Sequence, residues 1–178
     1  MTTDILFTPW RKKYVTSDKN KANGCVFCAK LAGDVSHDRQ NYTVYRSKTT
    51  FVVMNIYPYN TGHLMILPCE HVATLVEIAR ETQFEMMALT SYFTELLSQL
   101  MEPDGFNVGM NIGRTAGAGI VDHLHAHIVP RWNGDSNFMA TIGGTRVLPE
   151  VLDDTYDSIV ELINKRPPEI ETLDKEQP

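Results

Sequence analysis

At 178 residues, with 43% hydrophobic and 21% charged side chains, the chain has the size and composition of one globular domain, neither disordered nor disulfide-dense. Its 22 Asp and Glu against 16 Lys and Arg leave a formal charge of −6. That field repels polyanions, so nucleic acid and acidic membrane are not expected partners, while a small anion in a locally positive pocket is. No window reaches the ~20 apolar residues of a membrane span and the N-terminal stretch has no signal-peptide core, so the expected location is the cytoplasm.

Residues 1–24 are polar and basic around Phe7, Trp10 and Tyr14 and are expected to lie on the body as an arm. The domain is expected over 25–165. Tyr42–Arg46 and Thr50–Ile56 are β-branched and aromatic runs split by Ser47-Lys48-Thr49, the pattern of a hairpin. Pro58 to Gly62 supplies a turn, and His63–Leu67 reads as a third strand stopped by Pro68. From Thr82 to Met101 the apolar period becomes helical. Phe84, Ala88, Tyr92, Leu96 and Leu100, with Met87, Leu89, Phe93 and Leu97 beside them, mark its apolar face, and Thr82 and Glu85 are spaced as a capping box. Pro103-Asp104-Gly105 ends the helix. Phe106–Ile112 reads as a strand leading to the glycine-rich loop Gly113–Gly119, and His123–Val129 as a strand closed by Pro130. A last amphipathic helix is expected over Pro149–Lys165, burying Val151, Leu152, Tyr156, Ile159, Val160 and Ile163. Residues 166–178 are acidic and Pro-rich, which suits a disordered tail. Five strands gathered around one long helix, without regular alternation, give an α+β fold with a mainly antiparallel sheet.

Three of the six histidines fall in His123-Leu124-His125-Ala126-His127-Ile128-Val129. In a strand, alternate residues share a face and each residue advances ~3.3 Å, so the imidazoles line one side while Leu124, Ala126 and Ile128 turn to the core. A merely solvated edge does not need histidine at every second position. Imidazole offers metal ligation, nucleophilic attack and acid–base work near neutral pH, and from spacing alone a metal site built on all three competes with the others. The small residues from Asn111 to Gly119 let backbone N–H groups approach an anion. Many such loops are plain turns, but one placed directly before three imidazoles favours a phosphate ester or anhydride. Arg114 and Arg131 flank the run and are candidate phosphate contacts.

Three cysteines are odd in number and too few for a disulfide framework. Cys25-Val26-Phe27-Cys28 has the gap of a zinc knuckle or a redox pair; a redox pair needs a thioredoxin-like strand and helix, which the sequence does not offer. His63 is either a group behind the triad or a satisfied core histidine, and Met86-Met87 reads as packing.

The run at 123–129 matches the signature His-φ-His-φ-His-φ-φ, with φ hydrophobic, and the chain resembles the histidine triad superfamily of nucleotide hydrolases and transferases from Cys25 to about Pro149. Asn55 and the step Gly62-His63 resemble the family's ribose-binding Asn and its Gly-His step. Asn111 and Gly117-Ala118-Gly119-Ile120 resemble its phosphate-contacting stretch, in a loop one residue longer than in the eukaryotic branch. Pro130–Asp135, Asn137-Phe138-Met139 and Thr145–Pro149 are most similar to bacterial diadenosine tetraphosphate phosphorylases and hydrolases of the fragile-histidine-triad type. The resemblance implies that His125 attacks the α-phosphorus and becomes nucleotidylated, that His127 hydrogen-bonds phosphate or leaving-group oxygens, and that the His123 carbonyl orients the nucleophile. Water or orthophosphate would then accept the nucleotide. The implied substrate is a dinucleoside polyphosphate such as diadenosine tetraphosphate; an adenosine phosphoramidate, or nucleotide binding without catalysis, are the alternatives. The resemblance also implies a structural zinc on Cys25, Cys28, His71 and His123, no organic cofactor, and a homodimer whose sheets join across the two-fold axis.

Overall fold

The computed structural model describes residues 24–135 and 151–170. The expectations for Phe7, Trp10 and Tyr14, for Asn137-Phe138-Met139 and Thr145–Pro149, and for the end of the tail lie outside them.

Cys25 opens α1 (Val26–Ala32); a 3₁₀ turn and the single-turn α2 (Asp38–Asn41) lead into β1 (Thr43–Arg46), β2 (Thr50–Met54) and β3 (Leu64–Pro68). Then come α3 (Arg80–Met101), β4 (Gly105–Met110), β5 (Ala126–Arg131) and α4 (Leu152–Lys165). The five strands form one sheet in the order β1-β2-β3-β5-β4, with every neighbouring pair antiparallel. The two-residue strand period sorts the side chains onto two faces. Val52, Met54, Leu64, Ile66, Leu124, Ala126 and Ile128 pack under α3 and α4 against Leu89, Phe93, Leu97 and Ile159. Phe51, Val53, Met65 and Leu67 face the other way and close over Phe27 of α1. The turn before β3 needs glycine: Gly62 has φ +75°, and a Cβ there would meet the Met101 sulfur at 2.8 Å.

Several elements depart from expectation for identifiable reasons. Pro130 does not close the triad strand. β3 stops pairing at Ile128, so the proline's missing N–H falls where only β4 runs alongside, and β5 continues to Arg131. His123 and His125 precede β5, although the alternation persists, with Leu124 in the main core and both imidazoles against Phe27.

α3 starts at Arg80 with Ala79 as N-cap, and the capping box belongs to Thr74 and Glu77 of an upstream 3₁₀ turn, not to Thr82 and Glu85. Its buried stripe runs through Thr82, Glu85, Met86, Leu89, Phe93 and Leu97, which leaves Phe84 and Met87 in solvent. The carboxylate at 85 is tolerated inside because the Thr50 hydroxyl donates to it at 2.9 Å and the Thr49 hydroxyl donates as well. Val151 is exposed just ahead of α4 instead of buried in it. Past α4, the Tyr92 hydroxyl donates to the Arg166 carbonyl at 2.7 Å and Ile170 packs against the main core. No helix among the described residues is long and apolar enough to cross a membrane.

Candidate active site and metal centre

Strand parity gathers the site on the face opposite α3. Asn55 follows β2 and its backbone N–H donates to the His63 carbonyl at 2.9 Å, which extends the β2–β3 ladder by one step. Across β3, Met65 pairs with His127, and His127 pairs on its other side with Gly109. Asn111 comes one residue after Met110, whose partner is Ala126, so the register carries it toward His125. Asn55, His63, His127, His125 and Asn111 thereby reach one stretch of sheet from four separate segments.

Hydrogen bonds assign each imidazole a tautomer. A backbone carbonyl only accepts, so the 2.8 Å contact between His125 Nδ1 and the His123 carbonyl places a proton on Nδ1 and a lone pair on Nε2. His63 Nδ1 accepts the Tyr59 N–H at 3.0 Å; its Nε2–H therefore donates to His127 Nδ1 at 2.9 Å, and His127 carries its proton on Nε2. Burial pushes the His125 imidazole down from the ordinary histidine value, with the bond to the His123 carbonyl acting the other way, so the ring is neutral at pH 7. The His125 and His127 centroids are 4.9 Å apart, so a neutral base and an N–H donor stand side by side. His63 is 1% exposed and belongs to this network; no motif beyond the Gly-His step pointed to its partner, which lies 64 residues downstream.

His123 faces a different task. Its Nε2 donates to the Pro68 carbonyl at 3.0 Å, leaving the Nδ1 lone pair to point at Cys25 Sγ (3.4 Å), Cys28 Sγ (3.5 Å) and His71 Nδ1 (3.3 Å). Cys28 Sγ and His71 Nδ1 are 3.3 Å apart. A tetrahedron with Zn–S near 2.3 Å and Zn–N near 2.0 Å has S–N edges of ~3.5 Å and N–N edges of ~3.3 Å. All four donor atoms lie within 4.8 Å of one another, and no other cluster of this kind stands among the described residues. Donor type, spacing and the outer bond from His123 to Pro68 all fit a closed Cys2His2 zinc centre.

The loop residues have mixed surroundings. Gly113 and Gly117 take φ of +85° and +92°, and the amides of Gly117 and Ala118 donate within the loop, to the Arg114 and Gly113 carbonyls. Ile120 packs on the Phe27 cluster, which fastens the end of the loop to the histidine face. The Asn55 Oδ1 accepts the Tyr57 N–H at 2.9 Å. Arg131 is engaged by Asp135, its Nε and Nη2 donating at 2.6 and 2.8 Å, while Nη1 donates to Asn107 at 2.6 Å. It ties the turn at Asp135 to β4, so its Nε, Nη1 and Nη2 already have protein acceptors.

The family model for the HIT domain matches residues 37–134, more than half of the chain. The chain belongs to the HIT family. Among HIT relatives, an AP-4-A phosphorylase of Mycobacterium tuberculosis is 38% identical over 154 residues, covering 84% of this chain and 79% of that protein. An adenosine 5′-monophosphoramidase of Schizosaccharomyces pombe is 30% identical over 109 residues, covering 61% and 75%. The crystal structure of a Zn-bound histidine triad protein from Mycobacterium smegmatis superposes with a TM-score of 0.63 at 26% identity, covering 80% of this chain and 94% of that one.

Proposed function

We propose that the protein is a HIT nucleotide hydrolase or phosphorylase that cleaves dinucleoside polyphosphates, diadenosine tetraphosphate among them, by way of a nucleotide carried on His125. The observation that carries this reading is the bond from His125 Nδ1 to the His123 carbonyl, which leaves Nε2 as the nucleophilic atom of a ring only 5% exposed. The AP-4-A phosphorylase relative supports the substrate class.

Nε2 of His125 attacks the α-phosphorus, a P–N bond forms, and the P–O bond to the leaving nucleotide breaks with its electron pair on oxygen. His127, holding its proton on Nε2, donates to phosphate or leaving-group oxygens as charge builds there. Water or orthophosphate then attacks phosphorus, and the P–N bond breaks to restore His125. Asn55 would hold ribose; Asn111 and Gly117-Ala118-Gly119-Ile120 would border the phosphates. Cys25, Cys28, His71 and His123 would hold a zinc ion, which supplies rigidity with no open coordination position.

The outer strand β4, where Val108 is 49% exposed beside Asn107 and Gly109, is the edge on which a second copy would continue the sheet into a homodimer. Three unbridged cysteines suit a reducing cytoplasm.

Incubating the protein with diadenosine tetraphosphate tests the reading: ADP and ATP appearing only with orthophosphate identify a phosphorylase, AMP and ATP in water a hydrolase, and His125→Ala yields neither. Equal rates in wild type and His125→Ala would overturn it. Turnover of adenosine phosphoramidate alone would replace the substrate class, the reading that the monophosphoramidase relative favours.

A further inference from the structure

α1 cannot hold its own shape. It has seven residues, no side-chain bond at its N-cap and no acidic residue in its first turn. It is pinned at both ends instead. At the C-terminal end the Arg46 guanidinium donates to the carbonyls of Leu31, Lys30 and Gly33 at 2.7, 3.0 and 3.2 Å. At the other end Cys25 and Cys28 meet His71 and His123. Phe27 lies between the two cysteines, 4% exposed, with its ring centroid 5.5 Å from His123 and 5.4 Å from His125.

The hydrogen bond to the His123 carbonyl holds the His125 ring against rotation about Cβ–Cγ through a single contact at Nδ1, which leaves rocking of the ring about Cα–Cβ and Cβ–Cγ to be limited by packing. The His127 ring lies 4.9 Å from it between centroids at 77°, and the Phe27 ring 5.4 Å from it at 53°. Two restraints on the nucleophile, the His123 carbonyl and the Phe27 ring, thus come from a residue of the four-donor cluster and from a residue placed between two of them in sequence.

We propose that Phe27 is a positioning residue for His125, and that through it and the His123 carbonyl the filling of the Cys25-Cys28-His71-His123 centre sets the rate of nucleotidyl transfer while the centre stays outside the chemistry. This rests on His125 being the nucleophile. With the centre filled, α1 is held down, the Phe27 ring limits the rocking, and Nε2 keeps its line to phosphorus. When the cysteines are released, α1 keeps only the Arg46 clamp and the packing of Phe27 on Phe51, Val53, Met65 and Leu67, and the ring gains freedom.

The test uses the full chain in three forms: zinc-loaded wild type, zinc-stripped wild type, and zinc-loaded Phe27→Leu, which keeps an apolar side chain in the site. Two quantities are read: the His125 Nδ1–H imidazole signal by NMR without substrate, and the single-turnover rate of nucleotidylation beside KM for diadenosine tetraphosphate. We expect a sharp, protected signal only in the loaded wild type, and in both other forms a rate lower by at least about tenfold with KM changed by less than about threefold. An unchanged signal and rate in both forms would overturn the proposal, as would a change confined to KM, which would place Phe27 on the substrate side. If stripping unfolds the chain, Phe27→Leu decides by itself. Should the loaded wild type turn over no nucleotide while its imidazole signal still answers to zinc and to Phe27, the functional reading falls and the positioning role stands.

Discussion

A neutral imidazole has two nitrogens and one proton, so whatever binds one nitrogen decides what the other offers. Residues 123, 125 and 127 are chemically identical, yet a carbonyl from Pro68, a carbonyl from His123 and the Nε2–H of His63 leave the first with a lone pair facing Cys25, Cys28 and His71, the second with a bare Nε2 and the third with an N–H to donate. The alternation of the histidines was legible in the sequence because β period alone sorts them onto one face. Their tautomers were not, since each partner arrives from distant chain. Replacing His63 with Leu removes the donor that fixes His127, and we expect kcat to fall by up to about 100-fold, the scale of a misplaced catalytic group, with KM little altered. Steady-state kinetics would check this; a change in KM alone would leave His63 as packing.

Elements that obey a simple period were readable, and those held by tertiary contacts were not. α1 has no amphipathic repeat of useful length, so the Cys25–Cys28 spacing pointed to a candidate ligand pair but not to the helix that carries it. α3 was located by its period, yet its inner face was misjudged because Glu85 counts as a surface residue until Thr49 and Thr50 are seen to donate to it. Glu85→Ala leaves two hydroxyls without an acceptor, and urea unfolding should show a loss of about 1–3 kcal/mol. For the knuckle, elemental analysis of the wild type should find one zinc per chain and the double variant Cys25→Ser, Cys28→Ser none. Equal zinc in both would remove the centre.

Across the whole molecule, the sheet order brings residue 60 beside residue 135 and residue 107 beside residue 131, and a polar clamp joins them. Asn60 donates to Asp135 at 2.7 Å and to the Pro130 carbonyl at 2.9 Å, while Arg131 holds Asp135 with two bonds. Proximity in sequence placed Arg131 near the triad; only the fold shows its charge already taken. The Arg131 guanidinium, with the Trp132 N–H and Asn60 assisting against partial burial, holds the Asp135 carboxyl well below the usual carboxylate range. A depressed carboxyl contributes stability above its unfolded value near pH 4 and loses it as pH falls through the folded value. We therefore expect Asp135→Asn to lower Tm by about 3 °C at pH 7, with the gap to wild type closing below about pH 4. Sedimentation of the whole chain should give a dimer, and a charge at Val108 on β4 should give monomers. The most direct measurement follows the intact protein through one turnover with labelled diadenosine tetraphosphate, quenched in alkali, where a P–N bond to imidazole survives. We expect one nucleotide per chain on the peptide that contains His125 and none in His125→Ala; label on another residue, or complete turnover with no covalent species in a trapped single cycle, would contradict nucleophilic attack by His125.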